Sequence, residues 1–550
     1  MSHYFSWKLI SGGIAGATAS LLCAIPVFAQ APIPPVPILD GITPVVISNS
    51  VEVAVDQYPE SDQPGAFVPI STIFNSSADA CGTPACGDTS CGGCATSDCN
   101  SCCNLFNWGY PINAQAAGAY KGVFFANDFS YLCDPNYSGW HLGENMKRIG
   151  VGNCGVLDIG GEYRARYHNE QNMRGLGLTG VDDDFLLHRL RLYANYEMND
   201  RVRFYAESIH AVSEFETNNP RPIEEDYFDL LNLFVDVKLL ESCNGEIWGR
   251  YGRQELSYGT QRTVSPLDWA NTRRTFEGAK VYYQGTNWDI DGFAVRAVAP
   301  NTTEFDKPNY DTAFYGMYST YSGFQDASLE LYWLGLEDDR NNANVNPFQY
   351  HTFGSRLSGN RCGWLYDFEG AYQTGVFRNN DHSAGAFTLG LGRQLSSRCW
   401  KPTVWAYYDW ASGDNIIGNG YHHQNPLAHK YLGFMDLFGR RNIEDLNFLA
   451  TASPTKRLKL TTWYHIFNRQ NSNDVPYNVN MTPFNGSTDT SGGRDLGQEL
   501  DLVGSYKIST RSNVALGYSH FWSGSFYKEN ASAPFSGDAD FFWAHYSVRF

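Results

Sequence analysis

Phe541-Phe542-Trp543-Ala544-His545-Tyr546-Ser547-Val548-Arg549-Phe550 ends the chain. Successive side chains of an extended strand point to opposite faces, so this stretch carries Phe542, Ala544, Tyr546, Val548 and Phe550 on one face and His545, Ser547 and Arg549 on the other. The same two-faced pattern recurs upstream. In Gln498-Glu499-Leu500-Asp501-Leu502-Val503-Gly504 the acids Glu499 and Asp501 oppose Leu500 and Leu502. In Arg189-Leu190-Arg191-Leu192-Tyr193-Ala194 and in Tyr163-Arg164-Ala165-Arg166-Tyr167, arginines take one face and apolar residues the other. Alternation with period two describes strands that have one apolar and one aqueous face.

Eighteen such segments follow one another: 157–168, 185–198, 201–211, 227–238, 246–258, 275–285, 288–298, 312–321, 327–336, 349–357, 364–378, 385–396, 402–412, 444–452, 457–468, 498–508, 512–523 and 541–550. Short connections (199–200, 286–287, 453–456, 510–511) alternate with long ones (169–184, 212–226, 259–274, 413–443, 469–497, 524–540). A soluble sandwich has no reason to keep that rhythm; a transmembrane antiparallel β-barrel with short periplasmic turns and long external loops does. An even strand number brings both barrel ends to the periplasmic side. The aromatic terminal strand with its final Phe550 resembles the signal by which outer-membrane barrels are handed to the barrel-assembly machinery. Tyr332 and Trp333, and Trp405 to Trp410, are expected as lipid-facing girdles.

Composition excludes other classes. Among 550 residues, 40 Lys and Arg against 58 Asp and Glu leave a net charge of −18, so the chain does not bind nucleic acid through bulk charge. Charged residues are only 18%, yet mean hydropathy is −0.37, unlike a helical membrane protein. Aromatics at 15% and 53 glycines suit half-buried strands and turns.

Lys8, an apolar stretch from Leu9 to Phe28 and Val27-Phe28-Ala29 form a signal peptide over residues 1–29, cleaved after Ala29. Residues 30–155 read as a periplasmic leader or plug, Pro-rich over Ala31-Pro32-Ile33-Pro34-Pro35-Val36-Pro37 and largely irregular. It gathers Cys81, Cys86, Cys91, Cys94, Cys99, Cys102 and Cys103. In an exported chain these are expected in disulfides, with a thiolate metal cluster at Cys91-Gly-Gly-Cys94 as the alternative. Cys133 or Cys154 is a candidate outside partner, and Cys243, Cys362 and Cys399 fall on connections at the same rim.

The barrel proper spans 156–550, and eighteen strands enclose a water-filled lumen. Parity places Glu162, Arg164, Arg166, Arg189, Arg191, Arg203, Glu207, Arg250 and Lys280 inside, with Glu330, Asp367, Glu369, Asp409, Glu499 and Asp501 in the second half. Arg253 fits inside only if a bulge intervenes. The stretch from Tyr258 to Gly278 concentrates Arg262, Trp269, Arg273, Arg274 and Glu277 between two strands and is a candidate constriction. Its guanidiniums could pair with carboxylates or phosphates and its indole could stack on a sugar. His422, His423 and His429 share another long connection, but their spacing does not specify a metal, and no cofactor is expected. Ser519 with His520 lacks an orienting third group, so no enzyme is expected.

Gly252-Arg253-Gln254-Glu255-Leu256-Ser257-Tyr258-Gly259, Arg273-Arg274-Thr275-Phe276-Glu277-Gly278, the opening from Leu157 to Tyr167 and the terminal strand resemble the alginate-export family of outer-membrane barrels. Asp182 to Arg189 and Lys121 to Phe129 resemble its planctomycete-type members. The resemblance implies an eighteen-stranded monomeric channel whose arginine wall passes an anionic polysaccharide, with loops as gates. The function expected is an outer-membrane channel for polar, anionic or saccharide solutes; the alternative is a structural envelope barrel crosslinked through its leader.

Overall fold

The computed structural model describes residues 110, 112–153, 155–341, 346–395, 398 and 400–550. The signal segment, the Pro-rich stretch, Cys81 to Cys103, Cys154 and Cys399 lie outside the described residues. Eighteen long antiparallel strands pair each with the next, from Gly155–Gln171 to Ala539–Arg549. The last strand pairs back on the first, from Glu162↔Arg549 to Gln171↔Asp540, so the sheet is a closed barrel. Two short pieces, Ile149–Val151 and Lys307–Pro308, add local pairs. Closure leaves no strand edge with unpaired backbone, the condition a sheet must meet in hydrocarbon.

Alternation dictates the faces. Leu192, Phe204, Leu233, Val281, Leu391 and Leu516 are exposed on the outside, while the residues between them bury charge inside. Such an apolar outer band needs lipid around it. Adjacent aromatics cannot share a face, however. Trp333 lies outside, but Tyr332 and Trp405 point inward and are buried, correcting the expected girdle.

Strands Thr275–Gly285, Thr312–Tyr321 and Ser512–Ser523 coincide with the sequence reading. The fifth strand ends at Gln254 rather than 258, because Glu255 turns inward, its backbone N–H donating to Asn232 Oδ1 at 2.8 Å. The long and short rhythm fails once. Arg378 and Asn379, at φ 49° and 67°, make a two-residue hairpin, so the next strand starts at Asn380.

Among the described residues, three pieces enter the barrel most deeply. Connections 255–274 and 412–442 fold inward from the long-connection end. From the short-turn end, residues 112–148 of the leader enter as an ordered segment, and Ala119, Tyr120, Phe124 and Phe129 pack against the inward Tyr193, Tyr205 and Phe234.

Candidate functional site

The first two strands supply a row of inward arginines, and connection 255–274 lies across it. Arg164 donates to Asp268 O at 2.9 Å and Trp269 O at 3.2 Å, and Arg166 to Trp269 O at 2.5 Å. Arg189 donates to Asp268 O at 2.9 Å and also meets Glu162 at 2.8 Å and Asp268 Oδ1 at 2.9 Å. The Trp269 ring covers Arg166 at 3.6 Å and lies 4.5 Å from the His429 ring. These arginines are at most 1% exposed. The main chain of the connection, with its dense line of carbonyl oxygens, satisfies guanidiniums that would otherwise be orphaned in a low-dielectric interior.

Other arginines are fixed by carboxylates. Arg191 pairs with Glu207 at 2.6 Å, and Asp236 clamps both Arg203 at 2.6 Å and Arg250 at 2.7 Å. Arg262 reaches across to Asp367 at 3.0 Å and to Glu369. Arg273 pairs with Glu255 at 2.5 Å and with Asp268, and burial beside Arg191 still pushes its pKa down to about 10. Arg274 differs. It is 3% exposed and meets only the carbonyls of Ser265 and Pro426, both at 3.4 Å, while Nε and Nη2 have no hydrogen-bond partner. Burial alone pushes its pKa down to about 9.

The two inward connections brace one another. Asn425 N donates to Thr263 O at 2.9 Å, Leu427 N to Gln261 O at 2.8 Å, and Tyr431 OH to Thr260 O. Phe434 and Phe438 then pack on Trp463, Phe467, Phe521 and Trp543 of the far wall. Glu499 and Asp501, fully buried, lie beneath this segment, Glu499 accepting from Met435 N at 2.9 Å. Together the connections form a partition across the lumen.

Residues 112–148 lie on the other side of the partition. Phe124 stacks on Arg191 at 3.8 Å and Phe125 on Arg250 at 4.5 Å. Arg203 donates to Phe125 O at 2.9 Å, and Arg273 of the partition donates to Gly122 O at 3.0 Å. The base of this segment is anchored where the barrel closes: Tyr120 OH donates to Phe550 O at 2.6 Å and Asn113 N to Thr510 Oγ1 at 3.1 Å. Gly143, at φ +85°, passes so close that a Cβ would fall 2.2 Å from the Phe550 carbonyl carbon.

Of the residues singled out in the sequence, Arg164, Arg166, Arg189, Arg191, Arg203, Arg250, Arg262, Arg273, Arg274, Glu499 and Asp501 all lie buried inside the barrel. Arg253 and Glu277 do not. The fifth and sixth strands run in regular register without the bulge that Arg253 needed, so alternation carries both residues to the outer face, 3.5 Å apart. Arg253 stands opposite the outward Leu233. His422, His423 and His429 do not converge: they contact His423 O, Val479 O and Asp436 separately. Cys133 and Cys243 are exposed. Four further residues contribute. Asp236 and Arg356 lie on inward parity and were legible by alternation; Arg356 joins Asp367 at 2.6 Å and Glu330 at 2.7 Å, so the second half of the wall is not purely acidic. The leader's Phe124 and Phe125 carry no period that announces a lumen contact.

No curated protein matches the chain. Similar solved structures include Pseudomonas aeruginosa OccK3 (OpdO), at TM-score 0.47 and 14% identity over 72% of this chain and 96% of that one. Pseudomonas aeruginosa OpdQ gives 0.49 and 12% over 72% and 97%, and Acinetobacter baumannii OccAB1 0.48 and 11% over 72% and 96%. The family model described as Alginate export matches residues 156–536, which is the barrel itself from its first strand to its last long connection. An outer-membrane barrel with a polar, arginine-bearing lumen, matched by that model over most of its length, belongs to the alginate export family.

Proposed function

We propose that this outer-membrane channel passes an anionic saccharide, a uronate chain in the simplest case, and that the arrangement described above is its closed form. Connections 255–274 and 412–442 gate one end, and residues 112–148 gate the other. The observation that carries this reading is how the arginine row is satisfied. Arg164 and Arg166 donate to carbonyl oxygens of a connection, Arg189 divides its donors between such oxygens and the carboxylates of Glu162 and Asp268, and Arg274 has no carboxylate at all. When the connection swings aside, the same guanidiniums face carboxylate oxygens of a passing solute, in the bidentate geometry arginine favours. Arg191, Arg203, Arg250, Arg262 and Arg273, each held by wall or loop acids, keep that surface rigid. Glu499 and Asp501 oppose it and give the open lumen a transverse field.

The leader and the short turns belong on the periplasmic side in this scheme, the terminal strand ending in Phe550 is read by the barrel-assembly machinery, and one chain makes one pore. Support comes from the even strand number and from the leader's anchorage at the short-turn rim. Planar-bilayer recording tests the reading. The refolded full chain should be largely silent, whereas a chain lacking residues 30–148 should carry an anion-preferring current that uronate oligomers block. Cation preference, or current indifferent to uronates, would remove the anionic substrate. Equal conductance with and without the leader would remove the leader as a gate.

A further inference from the structure

Asp226 and Asp229 open the fourth strand, Asp226–Ser242. In a regular strand residues three apart face opposite ways. Here the pairing with the third strand slips, Ile209 meeting Asp229 and Ala211 meeting Asp226 with irregularities on either side, and the bulge turns both carboxylates to one place. Asp306 arrives from connection 300–311, its N–H donating to Asp229 Oδ2 at 2.6 Å. One oxygen from each of the three carboxylates lies within 4.8 Å of the others. Asp226, Asp229 and Asp306 are 2%, 3% and 7% exposed.

Three acids in so small a buried volume require compensation. Arg253 is the base beside them, and it compensates them only in part: Nη1 pairs with Asp229 Oδ1 at 3.4 Å and also meets Leu230 O at 3.0 Å, while Nη2 meets Asp306 O at 2.8 Å. Neither reaches Asp226, whose Oδ1 is buried without any hydrogen-bond donor. The remaining ligand atoms are all hard oxygens. Calcium takes six to eight of these in adaptable geometry, which mono- or bidentate aspartates supply, whereas magnesium demands a stricter octahedron.

We propose that Asp226, Asp229 and Asp306 bind a calcium ion that clasps connection 300–311 to the fourth strand at the long-connection rim. The site is separate from the arginine row and does not depend on what the channel carries.

The test uses the refolded full chain after chelation, with calcium alone as the probe. Calorimetry should find one site per chain, in the ~10⁻⁴–10⁻³ M range of extracellular modules. Glu304 lies exposed in the same connection, so cleavage there by a glutamate-specific protease should slow about tenfold at a tenfold excess of calcium over Kd. Asp226→Asn, which breaks no hydrogen bond at Oδ1, should abolish both effects, and Asp306→Asn should weaken them. Binding that survives both substitutions would overturn the proposal, as would absence of binding. If Asp226→Asn slows cleavage without calcium and calcium does nothing to the parent, the acids are neutralised by protons and the clasp is wrong.

Discussion

Arg273 and Arg274 are neighbours in sequence with opposite surroundings. Arg273 sits between Glu255 and Asp268, and replacing it by Met would strand the buried Glu255 while Asp268 keeps Arg189, costing about 3–5 kcal/mol. Arg274 leaves a buried charge with only two distant carbonyls. Arg274→Met should therefore raise stability in detergent by at least about 1 kcal/mol while weakening uronate block of the opened channel about tenfold. Thermal unfolding of the two variants side by side decides this, since the reverse order of stabilities would mean that Arg274 is better compensated than its contacts indicate. The inward set was legible because alternation is a local property: Arg164 and Glu499 could be assigned by counting from a neighbour. Arg253 was misplaced because the missing bulge is a property of two paired strands. The same count reaches Asp236, which clamps Arg203 and Arg250.

At the scale of elements, the leader segment is held by aromatic faces on charged partners, each contact contributing about 0.5–2 kcal/mol beyond area burial. Replacing Phe124 and Phe125 together by Ala should release it and open the full-length channel without altering the strands, and bilayer recording against the parent checks that. Two titrating groups at its base set a pH response. Burial pushes the Lys147 ammonium down to about 8, so the docked form holds fewer protons than the released one and docking tightens as pH rises from 8 toward 10.5. Glu144 is pushed up by burial but held lower overall by hydrogen bonds from Tyr131, Tyr137 and His141 N–H, so its contribution is present above the ordinary carboxylate range and is lost as pH falls through the depressed value. Current through the full chain should accordingly grow from pH 10 to 7 and again in acid; a current that shrinks over both intervals would contradict these signs. Strand positions were legible to within a few residues, because each strand repeats one rule. The leader's docking was not: Gly122 meets Arg273 and Tyr120 meets Phe550, contacts that no local period encodes. Nor was the hairpin at Arg378-Asn379, whose positive φ values carry no Gly to mark them.

Across the whole molecule, a net charge of −18 coexists with an arginine row gathered on the first two strands. An anionic solute, as proposed above, would be repelled by the total and attracted by the row, so its selection would rest on short-range fields. Screening shortens from ~10 Å at 0.1 M salt to ~3 Å at 1 M. Uronate block of the leader-released channel should therefore weaken markedly between 0.1 and 1 M KCl, measured as the shift in half-blocking concentration; a salt-independent block would point to sugar stacking instead of charge.

The seam gives the leader a chronology. Gly161 and Phe550 exchange backbone hydrogen bonds of 2.8 and 3.0 Å where the first and last strands meet, and Tyr120 rests on that same terminal carbonyl. The landing place lies on the seam itself and exists only once the cylinder has shut. A chain still open in the bilayer offers residues 112–148 nothing to grip there, so on the gating proposed above they would dock last in biogenesis, and a docked molecule would by that token be a closed barrel.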